Sequence, residues 1–253
     1  MGTIAEAAEL ITNFRETVAL TGAGISQEAG IPTFRGDDGL WQDPELAKWG
    51  YRQTFDADPA RWFEIFWTLY EKRQLLAPSV GHQALKRLVD ESIVSNIVTQ
   101  NVDGFDLEAG VPAERVHEVH GHIRHMTCIG CSESISTETW LSEHNPKTQV
   151  PTCSDGDVMK PDILLFGMDS IPNLEAIHER AFQALESADS ILVVGASVEI
   201  PYLEEWLYDL ADGSRNIIIV NPKPTLANPI ATLWIPETAE VVLPELALNL
   251  KAN

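Results

Sequence analysis

The stretch Thr17–Trp41, TVALTGAGISQEAGIPTFRGDDGLW, constrains this chain more than any other. An apolar, partly β-branched run, Val18-Ala19-Leu20, meets Thr21-Gly22-Ala23-Gly24-Ile25-Ser26. The pattern predicts a strand that ends in a glycine-hinged turn and leads towards a helix. Glycines at 22 and 24 let the backbone approach an anionic ligand, and a helix start adds unpaired N–H groups and the positive end of its dipole. Gly-x-Gly after a strand is equally consistent with a plain tight turn. A dinucleotide-dependent dehydrogenase would place an acidic residue at the end of its second strand, ~20 residues beyond the glycines. That region reads Phe34-Arg35-Gly36-Asp37-Asp38-Gly39-Leu40-Trp41, a turn-rich loop without a strand pattern, which counts against hydride transfer.

Further along, continuous apolar runs alternate with helical periodicity. Ile4, Ala7, Ala8 and Ile11 predict a helix before the first strand. Ala60 to Leu76 reads as one helix capped by Asp58, with Trp62, Phe63, Phe66, Trp67 and Tyr70 too many for a single narrow stripe; some are expected to line a pocket, and core packing accounts for most of them. A helix from His82 to Asp90 leads to a strand from Ile93 to Thr99, and the alternating segment from Arg115 to His122 predicts a short strand. Strands are expected at Lys160 to Gly167, Ile191 to Val194 and Ile217 to Val220, with a last one near Val241 to Leu243; helices at Leu174 to Glu186 and Pro201 to Leu210 separate them. This alternation indicates an α/β fold with a parallel, doubly wound sheet. The 253 residues suffice for one large domain with a smaller one inserted.

From Arg124 to Met159 the periodicity fades, which marks an inserted module, and all three cysteines, Cys128, Cys131 and Cys153, fall within it. An odd count without a secretion signal points to a metal or free thiols rather than a disulfide framework. No apolar run approaches the ~20 residues of a membrane span, so a cytoplasmic location without a membrane partner is expected. The net charge of -21 repels phosphate backbones, so no nucleic-acid partner is expected. It suits lysine-bearing substrates, or a solubilising acidic surface.

GAGIS followed by GIPTFR and GLW resembles the opening signature of the sirtuin family, the NAD-dependent protein deacylases, and further matches spread over almost the whole chain. Thr99-Gln100-Asn101-Val102-Asp103 resembles the family pattern TQNxD. Amide and carboxylate side chains suit a nicotinamide carboxamide, which both donates and accepts hydrogen bonds. The resemblance assigns Asn101 and Asp103 to the nicotinamide pocket, with Asn101 also in a catalytic role, and Gln100 to the ribose. It makes His120 the base that takes a proton from a ribose hydroxyl, with His117, His122 and His125 as nearby competitors. Gly195-Ala196-Ser197 resembles the family's Gly-Thr-Ser and, with Asn221, is implied to hold the adenosine ribose and phosphates. Gly22, Ala23, Gly24, Ser26 and Arg35 are implied on the cofactor, and Phe34 as shelter for the anomeric carbon. Cys128-x-x-Cys131 with Cys153 resembles a structural zinc site. Where the family supplies a fourth cysteine this chain reads Cys153-Ser154-Asp155-Gly156-Asp157, so Asp155, or else Asp157, is left to complete a tetrahedron; a metal-free relic module is the alternative.

The resemblance implies a Rossmann-like NAD-binding domain over 1–38, 79–122 and 160–253. A helical insertion over 39–78 and the cysteine module over 123–159 would form the small domain. NAD+ is implied as co-substrate, Zn2+ as a structural ion and an acylated lysine of a protein as second substrate, with nicotinamide and O-acyl-ADP-ribose as products. The chain departs from the family at Gly104-Phe105-Asp106, at Phe166-Gly167-Met168 and at Glu199, the last two near the expected peptide. Tyr70-x-x-Arg73 resembles a pair that reads acidic acyl groups in one subclass, but the loop from Arg73 to His82 is shorter than in that subclass, and a plain helix-surface pair is the better fit. Two rivals stay open: an ADP-ribosyltransferase or NAD hydrolase on the same scaffold, and a non-catalytic NAD-binding interaction protein.

Overall fold

The computed structural model describes residues 2–13, 16–32, 39 and 43–251. Helix α1 (Ile4–Thr12) leads into strand β1 (Thr17–Thr21). Four helices follow, α2 (Pro44–Ala47), α3 (Arg52–Ala57), α4 (Pro59–Gln74) and α5 (Val80–Asp90). Then come β2 (Val94–Thr99), α6 (Phe105–Glu108), β3 (Val116–Glu118), β4 (Gly121–Cys128), β5 (Ser134–Ser136), α7 (Thr137–Glu143) and β6 (Met159–Ile163). The last third alternates: α8 (Leu174–Ser187), β7 (Ser190–Val194), α9 (Pro201–Leu210), β8 (Asn216–Val220), β9 (Leu233–Ile235) and α10 (Ala239–Lys251).

Six strands form one parallel sheet in the order β3-β2-β1-β7-β8-β9. The chain winds outward from β1 through β2 to β3, and through β7 to β8 and β9 on the other side, so β1 and β7 flank the topological switch point, where open α/β sheets bind ligands. Register puts Thr21 opposite both Thr99 and Val194, and Val194 opposite Val220. The loops that follow β1, β2, β7 and β8 therefore leave the sheet at one level. β1, β7 and β8 are buried along their whole length, as continuous apolar runs require of strands covered on both faces. Leu85, Leu88, Leu243 and Leu246 fill one face beneath α1, α5 and α10, and Leu185, Leu203 and Leu207 fill the other beneath α8 and α9.

A second, antiparallel sheet, β5-β4-β6, carries the cysteines. Its core continues into the aromatic helix: Trp62, Phe63, Phe66 and Trp67 are all buried, and Trp67 stacks on Trp140 of α7 at 5.2 Å. The surplus of aromatics in α4 thus serves packing against the cysteine module, each buried ring contributing roughly 1.5–3 kcal/mol. Asp58 caps α4, its side chain accepting from the Arg61 N–H at 3.0 Å.

Three expectations need correction. Val241 to Leu243 belongs to α10, not to a strand; Val242, Leu243, Leu246 and Ala247 are buried at helical spacing, and this packing outweighs the β propensity of Val-Val-Leu and the break signalled by Pro244. The segment from Lys160 enters the small sheet by pairing with β4 instead of extending the large one. Beyond Gly22 the chain makes only a 3₁₀ turn, Ala23–Ile25, so no long helix aims its dipole at the glycine loop.

Candidate functional site

The glycine loop is fixed by backbone meeting backbone. Gly22 N–H donates to the Val194 carbonyl at 3.1 Å and Gly24 N–H to the Gly195 carbonyl at 2.9 Å. A Cβ on Gly24 would lie 2.6 Å from Gly195 Cα, and one on Gly195, whose φ is 59°, would lie 2.6 Å from the Ile25 nitrogen. The glycines are required first by the interlock of these two loops at the switch point. Three residues on, Val198 is fully buried with φ 59°, a left-handed conformation that strains a β-branched residue.

The loop after β2 supplies the polar side chains. Asn101 Nδ2 donates to the Gly22 carbonyl at 3.1 Å and to Ser26 Oγ at 3.3 Å; Ser26 Oγ donates to Asp103 Oδ2 at 2.8 Å. All three are buried. Burial raises the Asp103 carboxyl, opposed by the Phe105 N–H at 3.0 Å, the Ser26 hydroxyl and the Arg73 charge. Gln100 is tied to β1, its N–H donating to the Thr21 carbonyl at 3.0 Å.

Three neighbours of this cluster take places that the sequence does not show: His82, Arg73 and Asp106. His82 Nδ1 accepts from the Ser79 N–H at 3.2 Å, which leaves the ring proton on Nε2, 3.5 Å from Ser26 Oγ. Burial pushes its pKa down to about 4, so the imidazole is neutral. The signal was Pro78-Ser79 followed by His82, a capping box in which Ser79 and His82 satisfy each other's backbone N–H. Arg73 turns inward, donating through Nε to the Asp103 carbonyl at 2.7 Å, pairing with Glu108 at 2.5 Å and lying 4.2 Å over the Phe105 ring. That geometry makes it a clamp on the Asp103 loop rather than half of a plain helix-surface pair. Asp106 is buried with Oδ1 unpartnered among the described residues; burial, then Asp103 and Glu118, push its carboxyl up to about 7.

His120 sits in the turn between β3 and β4. Its Nδ1–H donates to the Gln100 carbonyl at 3.0 Å, which leaves Nε2 as the basic nitrogen, and its carbonyl accepts from Leu164 N–H at 2.8 Å. His117, His122 and His125 line a separate cavity of about 520 Å³ between β3 and the start of α8. Of the residues expected on the cofactor, the structure gathers Gly22, Ala23, Gly24, Ser26, Gln100, Asn101, Asp103 and Gly195 around the strand ends. Ser197 and Asn221 follow β7 and β8 at the same level, where Asn221 Nδ2 donates to the Lys223 carbonyl at 2.6 Å. Phe34 and Arg35 lie outside the described residues. Met168 is 99 % exposed, so nothing in the fold dictates its identity. The neighbouring turn is pinned by Asp169, whose side chain is fully buried and accepts from Arg52 at 2.9 Å, Lys160 at 3.1 Å and the Leu165 N–H at 2.8 Å.

The sulfurs of Cys128, Cys131 and Cys153 lie within 4.8 Å of one another. Tetrahedral zinc with Zn–S near 2.3 Å separates thiolates by about 3.8 Å, so the triad fits such an ion. Asp155 is exposed and lies outside that close set of three.

Parallel strands that bring a glycine loop, buried amide and carboxylate groups and an oriented imidazole to one switch point define a nucleotide-binding α/β protein of Rossmann type carrying an inserted cysteine module. A model of the Sir2 family matches residues 22–201. An NAD-dependent protein deacylase of Thermococcus kodakarensis is 34% identical over 251 residues, covering 98% of this chain and 96% of the relative. NAD-dependent protein deacylase 2 of Archaeoglobus fulgidus is 34% identical over 255 residues, with 98% and 96% covered. A solved Sir2 homolog–NAD complex superposes with a TM-score of 0.85 at 30% identity, covering 98% of this chain and 93% of that one. A structure described as a basis for the mechanism and regulation of Sir2 enzymes gives 0.87 at 32%, with 98% of both covered. The chain belongs to the Sir2 family, the sirtuins.

Proposed function

We propose that this chain is an NAD-dependent protein-lysine deacylase that releases nicotinamide and forms O-acyl-ADP-ribose. The observation that carries the reading is the His120 imidazole, held with Nε2 as base on the loop that follows β3, beside the strand ends where Asn101 and Asp103 meet the glycine loop. The relatives named as deacylases and the NAD complex of a Sir2 homolog support NAD+ as co-substrate. Buried amide and carboxylate groups from Asn101 and Asp103 match a carboxamide, and Gln100, Ser197 and Asn221 offer donors and acceptors for ribose hydroxyls. Phe34 and Arg35 keep their assignments to the anomeric carbon and the cofactor loop in this reading. The acyl oxygen of the modified lysine displaces nicotinamide at the anomeric carbon, His120 takes the proton of the ribose hydroxyl that attacks the acyl carbon, and water adds to the resulting adduct as its C–N bond breaks, releasing the lysine amine and leaving the acyl group as an ester on ADP-ribose.

The division into 1–38, 79–122 and 160–253 against 39–78 and 123–159 is part of the proposal; the Trp67–Trp140 stack, which joins the helical insertion to the cysteine module, supports it, while β4 and β6 of the small sheet run across its boundaries at 122 and 160. Cys128, Cys131 and Cys153 hold Zn2+, which fixes the module, and Asp155 is the proposed fourth ligand. Both cysteine turns end on a left-handed residue followed by the residue whose carbonyl closes the turn, Ser132 then Glu133 and Gly156 then Asp157, with Cys128 N–H bonded to Glu133 O and Cys153 N–H to Asp157 O. Counted back from those ends, Asp155 occupies the place of Cys131 in a turn one residue shorter. Free, clustered cysteines are consistent with the cytoplasmic location included in this reading.

The test is nicotinamide release from NAD+ with acetylated, succinylated and unmodified peptides. Release that requires an acyl group is the expected result. Release without one would favour ADP-ribosyl transfer or NAD hydrolysis, and none with any peptide would leave a binding protein.

A further inference from the structure

Two groups that the reaction itself does not use meet His120 or the peptide that precedes it. On α8, His178 Nε2–H donates to the Val119 carbonyl at 2.9 Å, the peptide group immediately before His120. On α9, Tyr202 stacks against His178 at 4.7 Å and presents its ring to His120 at 6.1 Å and 88°, within the edge-to-face range. Trp206 closes the group, 5.0 Å from Tyr202 and 5.5 Å from His178. The Tyr202 hydroxyl is buried without a partner among the described residues, so the ring, and not its oxygen, makes these contacts. Val119 is itself fully buried, and its N–H donates to the Thr99 carbonyl at 3.0 Å.

The Tyr202 and Trp206 contacts explain a ring at 178, and among the described residues the hydrogen bond to the Val119 carbonyl is what calls for a nitrogen in it. An aliphatic residue would fill the same half-buried position on α8, whereas an imidazole there supplies an N–H to the one carbonyl that sets the direction of the His120 backbone. We infer that His178 and Tyr202 are positioning residues for His120: His178 fixes the Val119–His120 peptide, Tyr202 walls the imidazole, and together they hold Nε2 on the ribose hydroxyl. The inference rests on the deacylase reading for its catalytic consequence, and on geometry alone for its structural part.

Because His120 acts after nicotinamide has left, disturbing it separates two steps. In His178→Phe, which keeps the stack and removes the donor, nicotinamide exchange and NAD+ affinity are expected to stay within about 2-fold of the parent, while acyl transfer falls about 10- to 100-fold, the scale of a misplaced catalytic group. His178→Gln, whose amide can donate to the same carbonyl, restores most of the loss. Tyr202→Leu lowers acyl transfer in the same selective way, and Tyr202→Phe rescues it.

The second measurement needs no activity: the slowly exchanging Nδ1–H proton of His120 in the NMR spectrum of the NAD-free protein. It is expected in the parent, His178→Gln and Tyr202→Phe, and lost or broadened in His178→Phe and Tyr202→Leu. Retention of that signal in His178→Phe overturns the inference, as does wild-type acyl transfer despite its loss. Equal losses of exchange and acyl transfer would also overturn it, since they indicate a merely structural role. An inactive parent whose His120 signal still follows these variants would refute the deacylase reading and leave the positioning intact.

Discussion

Replacing Asp106 by Asn tests the electrostatics behind the Asn101–Asp103 loop. The carboxyl is buried beside Asp103 and Glu118, and its pKa is pushed from 3.8 up to about 7 by burial first and by those two charges second. A raised folded-state pKa means that the folded protein holds a proton that the unfolded chain has released. The contribution to stability is complete below 3.8, is lost as pH rises towards 7, and stays lost above it. From about pH 5.5 to 7 the loss accrues at ~1.4 kcal/mol per pH unit, so about 2 kcal/mol disappears before the curve flattens. Asn has the same shape and no proton to lose. Urea denaturation at about pH 5.5 and about pH 8 should therefore show Asp106→Asn gaining about 2 kcal/mol on the parent between the two conditions. A difference that is constant with pH, or one that moves in favour of the parent, would refute the argument that this carboxyl is forced to ionise in a dry site.

Three further outcomes follow from particular contacts. Gly24→Ala drives a Cβ to 2.6 Å from Gly195 Cα, so it should cost about 1–3 kcal/mol in thermal unfolding and weaken NAD+ binding in calorimetry, because both loops must part. Asp169→Ala leaves the Arg52 and Lys160 cations without their shared buried partner and should destabilise the fold by about 3–5 kcal/mol. Metal analysis should give one zinc per chain, and a chelator should lower the melting temperature and change tryptophan fluorescence, since the Trp67–Trp140 stack joins the cysteine module to α4.

Much of this was legible in the chain because the relevant physics is local. Val18-Ala19-Leu20 before Gly22, and the apolar runs ending at Thr99, Val194 and Val220, can be little other than buried strands, and their ends placed the polar residues correctly. Long-range facts were hidden. The aromatic wealth of α4 had no readable target until α7 brought Trp140 to it. Arg73 looked like half of a recognition pair because nothing in the sequence shows that it reaches the Asp103 carbonyl, thirty residues away. Val241–Leu243 has strand propensity, and only its packing against α1 and α5 makes it helical. Asp106 was visible as a departure from the family pattern, yet its cost depends on a burial that no spacing reports. The same holds for His178 and Tyr202, which lie on two helices far from His120 in sequence.

The most direct test follows the acyl group itself. With NAD+ and a peptide whose lysine carries an isotopically labelled acetyl group, mass spectrometry should recover the label on ADP-ribose, with nicotinamide, free lysine and labelled ADP-ribose ester formed in equal amounts and no reduced cofactor. Label released as free acetate while nicotinamide accumulates regardless of the peptide, or reduced dinucleotide among the products, would contradict the claim that this site breaks the glycosidic bond in order to carry an acyl group away.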